Sequence, residues 1–272
     1  MKAAAIIPAR YGSSRFPGKP LSKLHGRLLI QHVIDRVLEA QRAGWVEEVM
    51  VATDDARIAK VAEEAGARSV MTRSDHTTGT DRLAEAVEQT DADLVVNIQG
   101  DEPLLPPEMV RDLTAPFHED SKLLMASLKC LLPGPEALHD RNQGKVVCDE
   151  NDVAITFTRL PLPGVAAGEH YFNEKRVEEM ARTGELMVYR TVGVYAYRRS
   201  FLKEFTKLSH TPFERKERLE QLRALEHGIA VKVPTTAGVS VEVNTPEDLS
   251  KAERAMALQT KSLATESLSH SE

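Results

Sequence analysis

The chain has 272 residues, of which 42% are hydrophobic and 28% charged, and a formal charge of −6. This is the profile of a soluble globular protein with length for one large α/β domain or two small ones. The acidic balance argues against a nucleic-acid-coating protein. Two cysteines, Cys130 and Cys148, can build neither a disulfide scaffold nor a four-cysteine zinc site, and both read as buried thiols in a reducing cytoplasm.

The first apolar run, Ala3–Ile7, stops at Pro8, with Arg10 close behind. It is too short for a signal-peptide core and reads as a buried parallel strand. No segment reaches the roughly 18 apolar residues of a membrane span, so membrane insertion is not expected. A Gly/Ser/Pro loop, Tyr11–Pro20, follows. The spacing then predicts a helix over Leu28–Ala43, with Ile30, Val33, Ile34, Val37 and Leu38 on one face. Strands at Glu48–Ala52, Ser69–Met71 and Leu94–Ile98 alternate with helices at Ala56–Ala65, ended by Gly66, and Asp81–Gln89. Such β-α-β order implies a Rossmann-like, doubly wound, mostly parallel sheet. Ligands bind such sheets beyond the carboxyl ends of strands, which marks the loops after Ile7 and Ile98.

The second half is less regular. Strands are expected at Met125–Leu131, Lys145–Cys148, Ala154–Thr158, Thr191–Tyr197, Ala230–Val233 and Val239–Val243. Val165–Gly168 reads as a loop, Asn173–Thr183 as an exposed helix and Glu214–Glu226 as one amphipathic helix. Thr245–Pro246–Glu247–Asp248 reads as a helix start. A smaller α/β lobe is inserted near 125–200, and residues 259–272 form a polar, Ser-rich tail expected to be disordered.

Charge is distributed unevenly. Lys2, Arg10, Arg15, Lys19, Lys23 and Arg27 fall within residues 1–34, which hold no Asp or Glu. Three of these cations, Arg10, Arg15 and Lys19, lie in IIPARYGSSRFPGKPL, residues 6–21. Small residues let its backbone N–H groups approach an anion, and Arg and Lys suit phosphate. Lys19 is followed by Pro20, so this is not the GxxxxGK[ST] P-loop. NIQGDEP, residues 97–103, sets Asp101 and Glu102 at a strand's carboxyl end, where Asp101 is placed for Mg²⁺, a cation that takes carboxylates, waters and phosphate oxygens. In TRSDHTTGTDRL, residues 72–83, Gly79 and Thr80 permit close approach of a flat ring, and His76 reads as an exposed loop histidine.

These motifs resemble the 3-deoxy-manno-octulosonate (Kdo) cytidylyltransferases. The opening IPAR-x-G-S is shared with sialic acid cytidylyltransferases, but GSSRFPGKPL is of the Kdo type. VATDD at 51–55, GTDRLAEA at 79–86, VNIQGDEPLL at 96–105, GVYAYR at 193–198, LEQLRALE at 219–226 and NTPEDL at 244–249 extend the likeness over residues 1–258. The resemblance implies a single nucleotidyltransferase domain that joins CTP to an acidic 2-keto-3-deoxy sugar, releasing pyrophosphate and making CMP-Kdo for lipopolysaccharide. It further implies Mg²⁺ as cofactor and a cytoplasmic homodimer built through the inserted lobe.

By the same resemblance, Arg10, Arg15 and Lys19 act on the triphosphate. Ala9, Gly12, Ser13, Arg73, Gly79 and Thr80 bind CTP. Gln99, Arg159, Thr191, Tyr195, Glu214 and Gln221 face the sugar acid, while Glu220 and Arg223 read as a helix-surface pair. Asp101 is the metal ligand. Two positions depart from the family pattern. Asn244 stands where the family has a metal-binding Asp, and Thr191 where it has His. Side chains two apart on a strand face the same way, so Glu242 is a candidate to restore the missing charge. The departures leave two other readings: a cytidylyltransferase for another acidic sugar, 8-amino or sialic-acid-like, and a CTP-binding regulatory paralogue without catalysis.

Overall fold

Ala3–Ala9 forms β1, whose apolar side chains are almost wholly buried. The computed structural model describes residues 1–12, 16–161, 188–238 and 240–269. After β1, a 3-10 turn at Lys19–Leu21 leads to a small antiparallel hairpin, β2 (Lys23–Leu24) and β3 (Arg27–Leu28). Then follow α1 (Leu29–Arg42), β4 (Glu48–Thr53), α2 (Ala56–Glu64), β5 (Arg68–Met71), α3 (Gly79–Ala86) and β6 (Leu94–Asn97). Next come α4 (Glu108–Thr114), α5 (Pro116–Glu119), β7 (Met125–Cys130), β8 (Lys145–Cys148) and β9 (Ala154–Thr158). The chain continues through β10 (Val188–Arg198), α6 (Arg199–Phe205), α7 (Pro212–Glu217), α8 (Leu222–Glu226), β11 (Val231–Lys232) and α9 (Pro246–Ser269).

The chain divides into two compact units. The N-terminal unit comprises Lys2–Ala92, Asn97–Val110 and Gly238–Glu272. Its strands β1, β4 and β5 are parallel and adjacent in that order, with Ile6 opposite Met50 and Val51 opposite Ser69. Helices α1 and α2 pack on β4, and α3 packs on β1 and β4. This is the expected α/β arrangement of parallel strands with crossover helices.

The central unit comprises Met1, Asp93–Val96 and Arg111–Ala237. Here β7 lies between β11, parallel to it, and β10, antiparallel to it. Antiparallel β8 joins β10 to β9. The lobe expected at 125–200 falls inside this wider unit. The loop read at Val165–Gly168 and the helix read at Asn173–Thr183 lie outside the described residues.

Three expectations change. Glu214–Glu226 is not one helix: α7 stops at Arg218, which is left-handed (φ 54°), and α8 begins at Leu222. Glu214 closes a capping box on Thr211 and is then gripped by Arg223, which folds α8 back against α7. Val239–Val243 makes no strand among its described residues; its backbone instead reaches the loop after β6, where Val243 N–H bonds to Asp101 O at 2.9 Å. The stretch expected to be a disordered tail is helical to Ser269. Thr245 N–H donates to the Asp248 carboxylate at the helix start, and no Gly or Pro after Pro246 interrupts a run of good helix formers.

Candidate active site

A cavity of about 310 Å³ opens at the carboxyl end of β1, lined wholly by residues of the N-terminal unit. Pro8, Ala9 and Arg10 line it, with Lys19 and Pro20 from the 3-10 turn, and Gln99, Gly100 and Asp101 from the loop after β6. Position 100 is tight, since a Cβ there would stand 3.1 Å from Pro8 O. The turn is shaped by Gly18, left-handed at φ +71°, whose N–H bonds to Tyr11 O at 2.9 Å. A Cβ at Gly18 would meet the Tyr11 ring at 3.1 Å, and the Arg57 guanidinium stacks on that ring 3.8 Å from its centroid. Phe16 packs into an apolar cluster with Leu24, Leu29, Val243 and Met256, anchoring the loop to α9.

Within the cavity Lys19 Nζ pairs with Asp101 Oδ2 at 2.5 Å. The other carboxylate oxygen, Asp101 Oδ1, is buried with no partner among the described residues. Glu242 and Asn244 line the same cavity although the strand expected to align them is absent. Asn244 is held by its backbone, whose N–H donates to Asp248 Oδ2 at 3.1 Å. Lys251, Thr245 and these backbone N–H groups hold the Asp248 carboxyl down at about 2.

The opposite end is built on α3. Thr78 caps it, accepting from Asp81 N–H, while the Asp81 carboxylate takes Thr78 N–H. Gly79 lines the cavity and packs on Pro8, whereas Thr80 is buried in the helix. Arg82, one turn on, is 2% exposed and also lines the cavity. It donates to Thr72 Oγ1 at 2.5 Å and Asp54 Oδ2 at 3.1 Å. His76 corrects the reading from sequence: its side chain is only 7% exposed, lines the cavity and pairs through Nε2 with Glu85. Despite burial, that bond and the Arg73 N–H keep the Glu85 carboxyl below its ordinary range.

The structure therefore gathers Ala9, Arg10, Lys19, Gly79, Gln99, Asp101, Glu242 and Asn244 around one cavity. It does not bring in Arg73, whose exposed side chain faces Asp75 and Glu85, or Gly12, whose Cβ direction is open. Ser13 and Arg15 lie outside the described residues. Sequence reasoning missed His76 and Arg82 as lining residues. For Arg82 the signal was its place one helical turn after Gly79; for His76 no local signal exists.

The five residues expected to face the sugar from the second half all belong to the central unit. Tyr195 OH donates to Gln221 Oε1 at 3.1 Å. The Arg159 guanidinium donates to Asn142 O at 2.6 Å, and its N–H to Glu217 Oε2 at 2.8 Å. Thr191 lies on β10. Glu214 is committed elsewhere: Arg223 binds both its oxygens, and His210 and Thr211 N–H complete its shell. Burial opposes that charge, but Arg223 and His210 outweigh it and hold the carboxyl below its ordinary range. Arg223 does pair with Glu220, at 3.2 Å, but not on the surface: it is 2% exposed and the centre of this network.

Two levels of likeness follow. A family model described as cytidylyltransferase matches residues 4–233. The chain belongs to the cytidylyltransferase family. Within it, the chain is 45% identical to the 3-deoxy-manno-octulosonate cytidylyltransferase of Syntrophotalea carbinolica, over 93% of this chain and 98% of that one. It is 42% identical to the enzyme of that name from Acaryochloris marina, over 93% and 96%. Among solved structures it resembles CMP:2-keto-3-deoxy-manno-octonic acid synthetase complexed with CTP, with TM-score 0.83, 36% identity, and 95% and 100% coverage. The 4-diphosphocytidyl-2C-methyl-D-erythritol synthase of Anaerococcus prevotii, at 13% identity and TM-score 0.60 over 94% and 98%, shares the fold.

Proposed function

We propose that the chain is a 3-deoxy-manno-octulosonate cytidylyltransferase, converting CTP and Kdo to CMP-Kdo and pyrophosphate. The observation that carries the reading is the β1-end cavity, where Lys19 pairs with Asp101 and Arg10 joins the lining, in a chain 36% identical to a synthetase solved with CTP. The anomeric hydroxyl of Kdo attacks the α-phosphorus in line, its proton is lost, and the bond to the leaving pyrophosphate breaks. Such transfer rests on positioning and charge neutralisation. Lys19 and Arg10, with Arg15 and Ser13 of the same loop, take the triphosphate. The α3 end, with Ala9, Gly79 and Arg82, takes the nucleoside. Gln99, Arg159, Thr191, Tyr195 and Gln221 take the sugar acid.

The donor set fits Mg²⁺. Asp101 Oδ1 is buried and unpartnered, and Glu242 and Asn244 share its cavity. No group of three or more His, Cys, Asp or Glu that could hold a metal occurs among the described residues; this suits an ion bound by one or two carboxylates plus substrate phosphates. When bound there, Mg²⁺ supplies charge neutralisation at the phosphates and lowers the pKa of a coordinated hydroxyl.

A homodimer is supported by β9, which pairs with β8 alone among the described strands and exposes Ile155 at 64%. An apolar open edge is a surface that a second copy covers. A cytoplasmic site of action is supported by the two free buried thiols, Cys130 and Cys148, and a role in lipopolysaccharide synthesis by the Kdo chemistry in the relatives' name. No described helix is long and apolar enough to cross a membrane. The experiment is pyrophosphate release from CTP and Mg²⁺ with Kdo, an 8-amino analogue and a sialic acid. Kdo is expected to give the highest kcat/KM; release with none of them would refute the reading.

A further inference from the structure

Among the buried side-chain atoms of the central unit that have no hydrogen-bond partner among the described residues are Gln143 Oε1, Thr191 Oγ1 and Gln221 Nε2. Folded proteins rarely strand buried polar atoms unless something else completes them. These three are tied together by the fold. Thr191 N–H donates to Gly144 O at 3.0 Å, and a Cβ at Gly144 would stand 2.5 Å from Thr191 Cγ2. Gly144 is therefore what admits Thr191.

Gln143 precedes it in a turn fixed from both sides. The buried Lys145 Nζ donates to the carbonyls of Gln143 at 3.1 Å, Asp140 at 2.8 Å and Arg159 at 3.3 Å. Thr191 and Tyr195 share the less buried face of β10, where burial alternates. Tyr195 OH in turn occupies Gln221 Oε1, which leaves Nε2 over.

Donor and acceptor capacity restricts what can complete the set. Gln143 Oε1 only accepts, Gln221 Nε2 only donates, and Thr191 Oγ1 does either. A carboxylate cannot donate to Gln143. An ammonium can, but cannot accept from Gln221. Hydroxyl groups do both.

Building on the Kdo reading, we infer that Gln143 is a specificity-determining residue, its amide oxygen accepting from a hydroxyl of the sugar acid. Thr191 and Gln221 read neighbouring hydroxyls, and Gly144 makes the room. This gives Thr191 a role where it departs from the family pattern.

The test measures kcat and KM for Kdo, for CTP and for analogues each lacking one Kdo hydroxyl, in the wild type, Gln143→Met, Gln143→Glu and Thr191→Val. For the wild type, one deoxy analogue is expected to lose about 10-fold or more in kcat/KM. Gln143→Met should raise the Kdo KM about tenfold, leave the CTP KM unchanged and become indifferent to that missing hydroxyl. Gln143→Glu, which keeps an acceptor oxygen, should retain the preference, and Thr191→Val should raise only the sugar KM. A wild-type Kdo KM in Gln143→Met, or a parallel rise in its CTP KM, would overturn this inference alone. No turnover of Kdo by the wild type would overturn the Kdo reading along with it.

Discussion

The two units hold their polar groups in different ways. In the N-terminal unit the groups come from short loops at strand ends, and Lys19 and Asp101 meet across a cavity with Asp101 Oδ1 left over. In the central unit the strongest charges neutralise each other inside the fold, with Arg223 on Glu214, while Gln143, Thr191 and Gln221 keep spare neutral donor and acceptor atoms. Spare charge suits a triphosphate and a metal ion, and spare neutral donors and acceptors suit a polyol.

The contrast can be tested by breaking each side. The largest effect on stability is expected from Arg223→Met. It strands the Glu214 carboxylate in a buried site, which typically costs about 3–5 kcal/mol, and thermal or denaturant unfolding reads it. Lys19→Ala should lower turnover about 10²–10³-fold, as loss of one positioned charge does, with the melting temperature little changed. If Lys19→Ala kept wild-type turnover, Lys19 would not be acting on the phosphates.

A smaller effect is expected from Gly18→Ala, which forces a side chain into a left-handed residue at φ +71° against the Tyr11 ring. Strain of about 1–2 kcal/mol should appear as a raised CTP KM rather than as unfolding. Smallest is Asn244→Asp. It adds a carboxylate beside Asp101 and Glu242, so half-maximal activity should need a few-fold less Mg²⁺. No change in that requirement would place position 244 outside the metal site.

What could be read from the sequence followed the same division. β1, the phosphate loop and Asp101 were legible because each is contiguous: an apolar run, then small residues and cations, or a strand followed at once by an acid. His76 and Arg82 were not, because each depends on a partner in another element, Glu85 on α3 or Asp54 after β4. Arg223 was misplaced on the surface because helical periodicity runs evenly through 214–226. The left-handed Arg218 and the Glu214 capping box that break it are tertiary choices. The alignment of Glu242 with Asn244 rested on a strand that is absent, yet both reach the cavity, because Val243 N–H ties that segment to Asp101 O.

The central claim is a division of labour, with nucleotide on the N-terminal unit and, Gln99 apart, sugar acid on the central unit. Titration calorimetry of CTP binding to Lys19→Ala and Tyr195→Phe, paired with their Kdo KM values, tests it most directly. Lys19→Ala should bind CTP at least tenfold more weakly. Tyr195→Phe should bind CTP like the wild type while its Kdo KM rises. Equal weakening of CTP binding in both variants would contradict the division.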